Sequence, residues 1–243
     1  MDPSFPRKLQ EVRKLLKNAS SVAALTGAGV SADSGVPTFR GPEGLWRNVR
    51  PEDLATLEAF QDNPYLVWEW YNWRRGMIAE KAPNAAHYTL VRMERKFPSF
   101  HLITQNVDGL HGKAGHQDPL EIHGNIWKVR CTRCGEVSLC LDVPISIPPL
   151  CKVCRGVLRP HVVWFGESLD PHLLEECARA FRTCSVLLVV GTSGLVQPSA
   201  SFASIAKAAG AAIVEINLQS TPLTPSADVT LFGRASEILP QLV

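Results

Sequence analysis

The chain has 243 residues, enough for one large domain with a substantial core and a small satellite. A formal net charge of +2 argues against the broad basic surface on which phosphate-driven nucleic-acid binding depends. No apolar run approaches the ~20 residues that cross a bilayer, and the opening MDPSFPRKL lacks the apolar segment of a secretory signal.

In chain order, RKLQEVRKLLKNA places Leu9, Val12, Leu15, Leu16 and Ala19 on one face of a predicted helix. SVAALTG follows as a short buried strand feeding a glycine turn. Residues 63–97 read as two helices split near Pro83, the first rich in aromatics. FHLITQN and PLEIHG read as strands with polar ends. VLLVVG, a helix from about Ser199 to Ala209, AAIVEIN and DVTLFG complete an alternation of strand and helix. The expected fold is therefore α/β: a Rossmann-like parallel sheet with helices on both faces, plus a small domain. Its boundaries are expected at 1–46, 84–128 and 160–243 for the sheet domain, 47–83 for a helical insertion and 129–159 for a metal ribbon. Ligands of such sheets collect beyond the carboxyl ends of the strands. The polar residues at those ends are Gly27, Gln105 to Asp108, His123, Gly191 to Ser193 and Asn217.

Seven cysteines include two CxxC pairs, Cys131 with Cys134 and Cys151 with Cys154, sixteen residues apart. Two such turns deliver four thiolates to a tetrahedral zinc at about 2.3 Å per bond and leave no open position, so the metal is structural. Polar flanks argue against four buried apolar thiols. Without a signal segment, the pattern also favours a reducing compartment.

The stretch TGAGVSADSGVPTFRG begins like a dinucleotide turn, with Gly27 and Gly29 able to let backbone approach a pyrophosphate. Many glycine turns bind nothing, however, and this one breaks at Gly35, Pro37 and Gly41. His123 stands at a strand end, where its ordinary pKa near ~6.5 suits a general base; a structural histidine is the alternative. His87, within a helical pattern, reads as a packing residue.

GAGVSADSGVPTFRG, TQNVDGLH, the His123-Gly124 pair, the four cysteines, RPHVVWFGE and VVGTSGLVQP occur in the order found in sirtuins, NAD-dependent protein lysine deacylases that this chain resembles from about Ser21 to Asn217. The resemblance implies NAD and zinc as cofactors and acylated lysines of proteins as substrates. It implies attack of the acyl oxygen on the nicotinamide ribose, with His123 then acting as base for a ribose hydroxyl. The products are nicotinamide, free lysine and O-acyl-ADP-ribose. The cofactor would meet Gly27, Ala28, Gly29, Ser31, Ser34, Pro37, Phe39, Arg40 and Trp46 on the first loop, Phe39 and Arg40 closing over the reacting centre. Gln105, Asn106, Val107 and Asp108 would face the ribose and carboxamide, Asn106 and Asp108 being catalytic with His123. Gly191, Thr192 and Ser193 would lie near the phosphates, Asn217, Leu218 and Gln219 near the adenosine. Ala235 replaces a cysteine common in the family and offers only backbone.

Within WEWYNWRR, Tyr71 and Arg74 are three apart and share a helical face. A guanidinium near an acyl channel grips a carboxylate through two parallel hydrogen bonds; the alternative is a solvated Arg74 beside Arg75. The Tyr-x-x-Arg pair, with the small Ala55 in DLAT, resembles the class III members that remove succinyl, malonyl and glutaryl groups. Substrate peptide is expected between Val162, Trp164, Phe165, Gly166 and Glu167 on one side and Gly194, Leu195 and Val196 on the other, by strand addition. Val162 and Val163 fit a core strand equally well.

Deacetylation or ADP-ribosyl transfer on the same scaffold is the alternative activity. A non-catalytic NAD or ADP-ribose sensor is opposed by the Asn106, Asp108 and His123 set, which a pure binder has no need of. Arg130, Arg133, Lys152 and Arg155 lend some charge to a nucleic-acid ribbon but fit a solvated face better. A cytoplasmic, bacterial-like protein with no membrane partner is expected, a mitochondrial location being the alternative for a eukaryotic source.

Overall fold

The computed structural model describes residues 3–38, 51–195 and 199–243. Its strands are β1 (Val22–Thr26), β2 (Phe100–Thr104), β3 (Leu120–Glu121), β4 (Gly124–Cys131), β5 (Val137–Leu139), β6 (Leu158–Val162), β7 (Val186–Val190), β8 (Ala212–Asn217) and β9 (Val229–Phe232). Its helices are α1 (Phe5–Asn18), α2 (Ala28–Ala32), α3 (Pro51–Leu54), α4 (Leu57–Asp62), α5 (Pro64–Ala79), α6 (Ala85–Lys96), α7 (Leu110–Lys113), α8 (Pro171–Thr183), α9 (Ser199–Ala208) and α10 (Ala235–Ile238).

Six parallel strands form one sheet in the order β3-β2-β1-β7-β8-β9. Every residue of VAALT in β1 and VLLVV in β7 is buried, as both faces of the sheet are covered. Period two divides those residues between the faces. Val186, Leu188 and Val190 pack with Leu9, Val12 and Leu16 of α1, Leu90 and Met93 of α6 and Ile238 of α10. Leu187 and Val189 pack with Cys177 and Phe181 of α8 and Phe202 and Ala206 of α9. The chain runs outward from β1 through β2 to β3, then returns to β1's other side with β7. Strand order thus reverses between β1 and β7, and sheets of this kind carry their ligand crevice beyond the carboxyl ends at such a reversal.

A second, antiparallel sheet, β5-β4-β6, packs against α3, α4 and α5. Asn63 caps α5 by accepting from Leu66 N at 3.0 Å, with Pro64 beginning the helix. Trp68 is fully buried and donates from Nε1 to Leu158 O at 2.8 Å. Arg75, also fully buried, donates to the carbonyls of Ile126 (2.6 Å), Cys140 (2.6 Å) and Asp142 (2.9 Å). The helical insertion and the ribbon therefore share one core and one polar staple.

Candidate active site and metal centre

Where β1 ends, Gly27 N donates to Val190 O at 3.0 Å and Gly29 N to Gly191 O at 2.8 Å. A methyl on Gly29 would lie 2.7 Å from the Gly191 Cα, and one on Gly27 only 2.7 Å from the Gly191 carbonyl oxygen. The glycines clear the neighbouring loop. The N–H groups of both glycines are thereby engaged within the fold. Ala28 is half-buried behind them, and Ser31 is buried one helical turn on. Ser34 Oγ accepts from Asn84 Nδ2 at 2.9 Å, while Pro37 is half-buried. Phe39, Arg40, Trp46 and Val196 lie outside the described residues.

The end of β2 supplies the next wall. Gln105 Nε2 donates to Thr192 Oγ1 at 2.9 Å, linking the β2 and β7 loops. Asn106 is buried and donates from Nδ2 to Gly27 O at 3.0 Å and Ser31 Oγ at 3.2 Å. Val107 joins the small-lobe core. Asp108 is buried with Oδ1 accepting from Leu110 N at 2.8 Å. Burial pushes its carboxyl pKa up, while the Leu110 N–H, the Ser31 hydroxyl and the Arg74 charge pull it down. His123 Nδ1 lies 3.1 Å from Gln105 O, an acceptor only, so the ring proton sits on Nδ1 and Nε2 carries the lone pair. Burial lowers its pKa, with the Gln105 bond opposing. A neutral imidazole whose Nε2 meets no partner among the described residues can serve as a general base.

At the crevice's other end, Asn217 Nδ2 donates to Thr192 O at 2.7 Å and Oδ1 accepts from Leu218 N at 2.9 Å. Asn217 thereby holds the loop of Gly191, Thr192 and Ser193. Leu218 and Gln219 are exposed, whereas Ala235 is buried in the core against α1 and α6.

Tyr71 and Arg74 project together into the interior, being 2% and 4% exposed; the solvated alternative for Arg74 does not hold. The Arg74 guanidinium stands 4.8 Å from the Trp70 ring and 5.9 Å from that of Tyr71. Tyr71 Oη accepts from Trp164 Nε1 at 2.9 Å, which leaves its own hydrogen to give. Burial depresses the Arg74 pKa, and the nearby Tyr71 and Asp108 counter this. Ala55 is buried beside them, its carbonyl accepting from Phe165 N at 2.9 Å.

Val162 and Trp164, expected to face a peptide, are core side chains. Glu167 clamps Arg159 through two oxygens at 2.6 and 2.7 Å and accepts from Trp164 N. That internal pair, with Arg159 stacked 3.5 Å from the Trp164 ring, occupies Glu167. Outward-facing groups are Phe165 and Leu195, both exposed, beside the positive-φ glycines 166 and 194.

The sulfurs of Cys131, Cys134, Cys151 and Cys154 lie within 4.8 Å of one another, with closest pairs at 3.4 and 3.8 Å. Thiolates at about 2.3 Å from a tetrahedral zinc stand ~3.8 Å apart, so the set fits the metal. N–H groups of Arg133 (3.4 Å) and Gly156 (3.4 Å) face Cys131 and Cys154 sulfurs and stabilise thiolate charge.

A parallel sheet whose strand order reverses between β1 and β7, with Asn106, Asp108 and His123 following the ends of β2 and β3 and a four-cysteine ribbon that fits zinc, defines a Rossmann-like protein with a structural metal module. Residues 27–198 match the model of the Sir2 family. The NAD-dependent protein deacylase of Aquifex aeolicus is 52% identical across 89% of this chain and 91% of its own. NAD-dependent protein deacylase 2 of Pyrobaculum aerophilum is 50% identical, covering 96% and 93%. A solved structure of a Sir2 homologue in complex with NAD superposes with a TM-score of 0.90 at 45% identity, over 96% of this chain and 91% of that one. The chain belongs to the Sir2 family. No helix among the described residues is long and apolar enough to cross a membrane.

Sequence reasoning missed Arg75 and the polar role of His87. Asn84 and His87 form a capping box at the start of α6, a spacing of three that was visible in PNAAH. It also missed α8, although Asp170 and Pro171 announce it and Cys177, Ala180 and Phe181 mark its buried face.

Proposed function

We propose that the chain is an NAD-dependent protein lysine deacylase that favours succinyl- and malonyl-lysine over acetyl-lysine. The observation that supports the preference is the joint burial of Tyr71 and Arg74 beside Asp108's environment. A planar guanidinium and a phenol hydroxyl in low dielectric suit a terminal carboxylate better than a methyl. Bound NAD would supply the electrophilic ribose carbon and the nicotinamide leaving group. His123 Nε2 takes the proton of a ribose hydroxyl, Nδ1 being held by Gln105 O. Asp108 orients the carboxamide, Asn106 and Gln105 hold the ribose region, and Thr192, Ser193 and Asn217 line the phosphate and adenosine end. Acylated peptide lies between the exposed Phe165 and Leu195. In this reading residues 1–46, 84–128 and 160–243 bind NAD, 47–83 shape the acyl pocket and 129–159 form the zinc ribbon.

A panel of succinyl-, malonyl- and acetyl-lysine peptides with NAD, read by mass spectrometry, tests both parts. Turnover of acetyl-lysine equal to that of succinyl-lysine would end the preference, and loss of turnover in His123→Ala is expected.

A further inference from the structure

Three arginines are buried among the described residues, Arg74, Arg75 and Arg159, and each lies over the face of a tryptophan. Arg159 shows the arrangement completed. Its guanidinium sits 3.5 Å from the centre of the Trp164 ring, and Nη1 and Nη2 donate to the two carboxylate oxygens of Glu167 at 2.6 and 2.7 Å. Arg75 repeats it with carbonyls, standing 4.9 Å from the Trp127 ring and donating to Ile126, Cys140 and Asp142. The physical reason is common to both. An indole face offers negative potential to a cation that burial has stripped of water, and it covers the flat side of the guanidinium without using a hydrogen. The N–H groups lie in the guanidinium plane, so a stacked fork is directed sideways, at an oxygen.

Arg74 stands on Trp70 in the same way, 4.8 Å from the ring centre. The two are four apart on α5, where a long side chain leans back over the preceding turn. Trp70 meets Tyr71 edge to face, with centroids 4.9 Å apart and planes at 86°, so the two rings form a corner. The guanidinium in that corner is 5.9 Å from the Tyr71 ring. Trp164 holds the Tyr71 side by donating from Nε1 to its hydroxyl at 2.9 Å, and the half-buried Trp70 forms the other side. We propose that Trp70 is a specificity-determining positioning residue, which holds the plane of the Arg74 guanidinium so that its fork meets an acyl carboxylate as Arg159 meets Glu167. The arginine supplies the bonds and the indole supplies their direction. This role deepens the preference for succinyl- and malonyl-lysine and rests on it.

Trp70→Phe keeps an aromatic face, and Trp70→Leu removes it while keeping apolar bulk. Succinyl-lysine and butyryl-lysine peptides, equal in acyl chain length, differ in the carboxylate. In Trp70→Leu, with saturating NAD, the succinyl-to-butyryl ratio of kcat/KM should fall about tenfold, as expected for loss of a desolvated cation–π contact. The loss should lie in the KM for succinyl-peptide, and Trp70→Phe should recover most of the ratio. In the ligand-free protein the Arg74 Nε–H proton, assigned by its absence in Arg74→Met, should lie upfield under the indole ring current and move downfield in Trp70→Leu. Equal losses on both peptides, an unchanged ratio, or an Arg74 proton that stays in place overturns the proposal. Should Trp70→Leu not fold, Trp70→Phe decides by the same readouts: the ratio falls about twofold and the proton moves part of the way, and no movement overturns the role. A wild-type enzyme that prefers neither peptide ends the acyl reading and this role together, whereas a preference untouched by the variants ends this role alone.

Discussion

Gly29 and Gly191 meet backbone to backbone: the N–H of the first donates to the carbonyl of the second at 2.8 Å, with no room for a side chain between them. A Cβ on Gly191 would fall 2.6 Å from Val30 N, and its φ of +62° is one that alanine adopts at a cost of about 1 kcal/mol. Gly191→Ala should therefore destabilise the protein by about 2–4 kcal/mol once overpacking is added. Thermal or urea denaturation reads this directly; an unchanged midpoint would show that the loops separate freely.

Arg74→Met removes a charged fork while keeping apolar bulk. Succinyl-lysine kcat/KM should fall about 10- to 100-fold, as expected for loss of charge-assisted bonds. Acetyl-lysine turnover should hold or rise. Tyr71→Phe should show the same bias more weakly. Equal losses on both peptides would mean that Arg74 only shapes the lobe.

The pH dependence follows from the tautomer of His123. In the proposed mechanism catalysis needs the neutral ring, and burial has lowered the pKa at which a proton is gained. Activity is therefore retained above that pKa and lost as pH falls through it. The acid limb of kcat/KM should lie below the ordinary histidine value of ~6.5, with unit slope. A midpoint above it would mean that another group titrates.

Arg75→Met leaves the carbonyls of Ile126, Cys140 and Asp142 without their donor. A loss of about 3–5 kcal/mol is expected, from the desolvation of several unanswered buried groups. Because two of those carbonyls lie just past β5, in the ribbon, a chromogenic chelator should strip zinc from the variant faster than from wild type. Chelation at the wild-type rate would place the ribbon's stability in the cysteine turns alone.

The large sheet was legible because its strands are short apolar runs with polar ends, and those ends are where β1, β2, β7 and β8 stop. The ribbon was legible because cysteine spacing dictates geometry. Position within a helix was harder to read. Arg74 and Arg75 are neighbours of one chemical type, and both are buried for different reasons: one stacks on Trp70, the other answers carbonyls 51, 65 and 67 residues away. No local pattern carries partners so distant in sequence. His87 looked like packing and is indeed fully buried, yet its two nitrogens are both employed. VVWFGE holds both kinds of position, Trp164 packing inward on Tyr71 while Phe165 faces out, a division that no local pattern marks.

One helix, α5, turns Tyr71 and Arg74 one way and Arg75 the other. On the proposed acyl preference, grafting residues 64–79 onto a related scaffold would thus import that preference together with a demand for matching carbonyl positions in the recipient's ribbon. Chimeras built to swap acyl selectivity should exchange the helix and the ribbon as a single cassette.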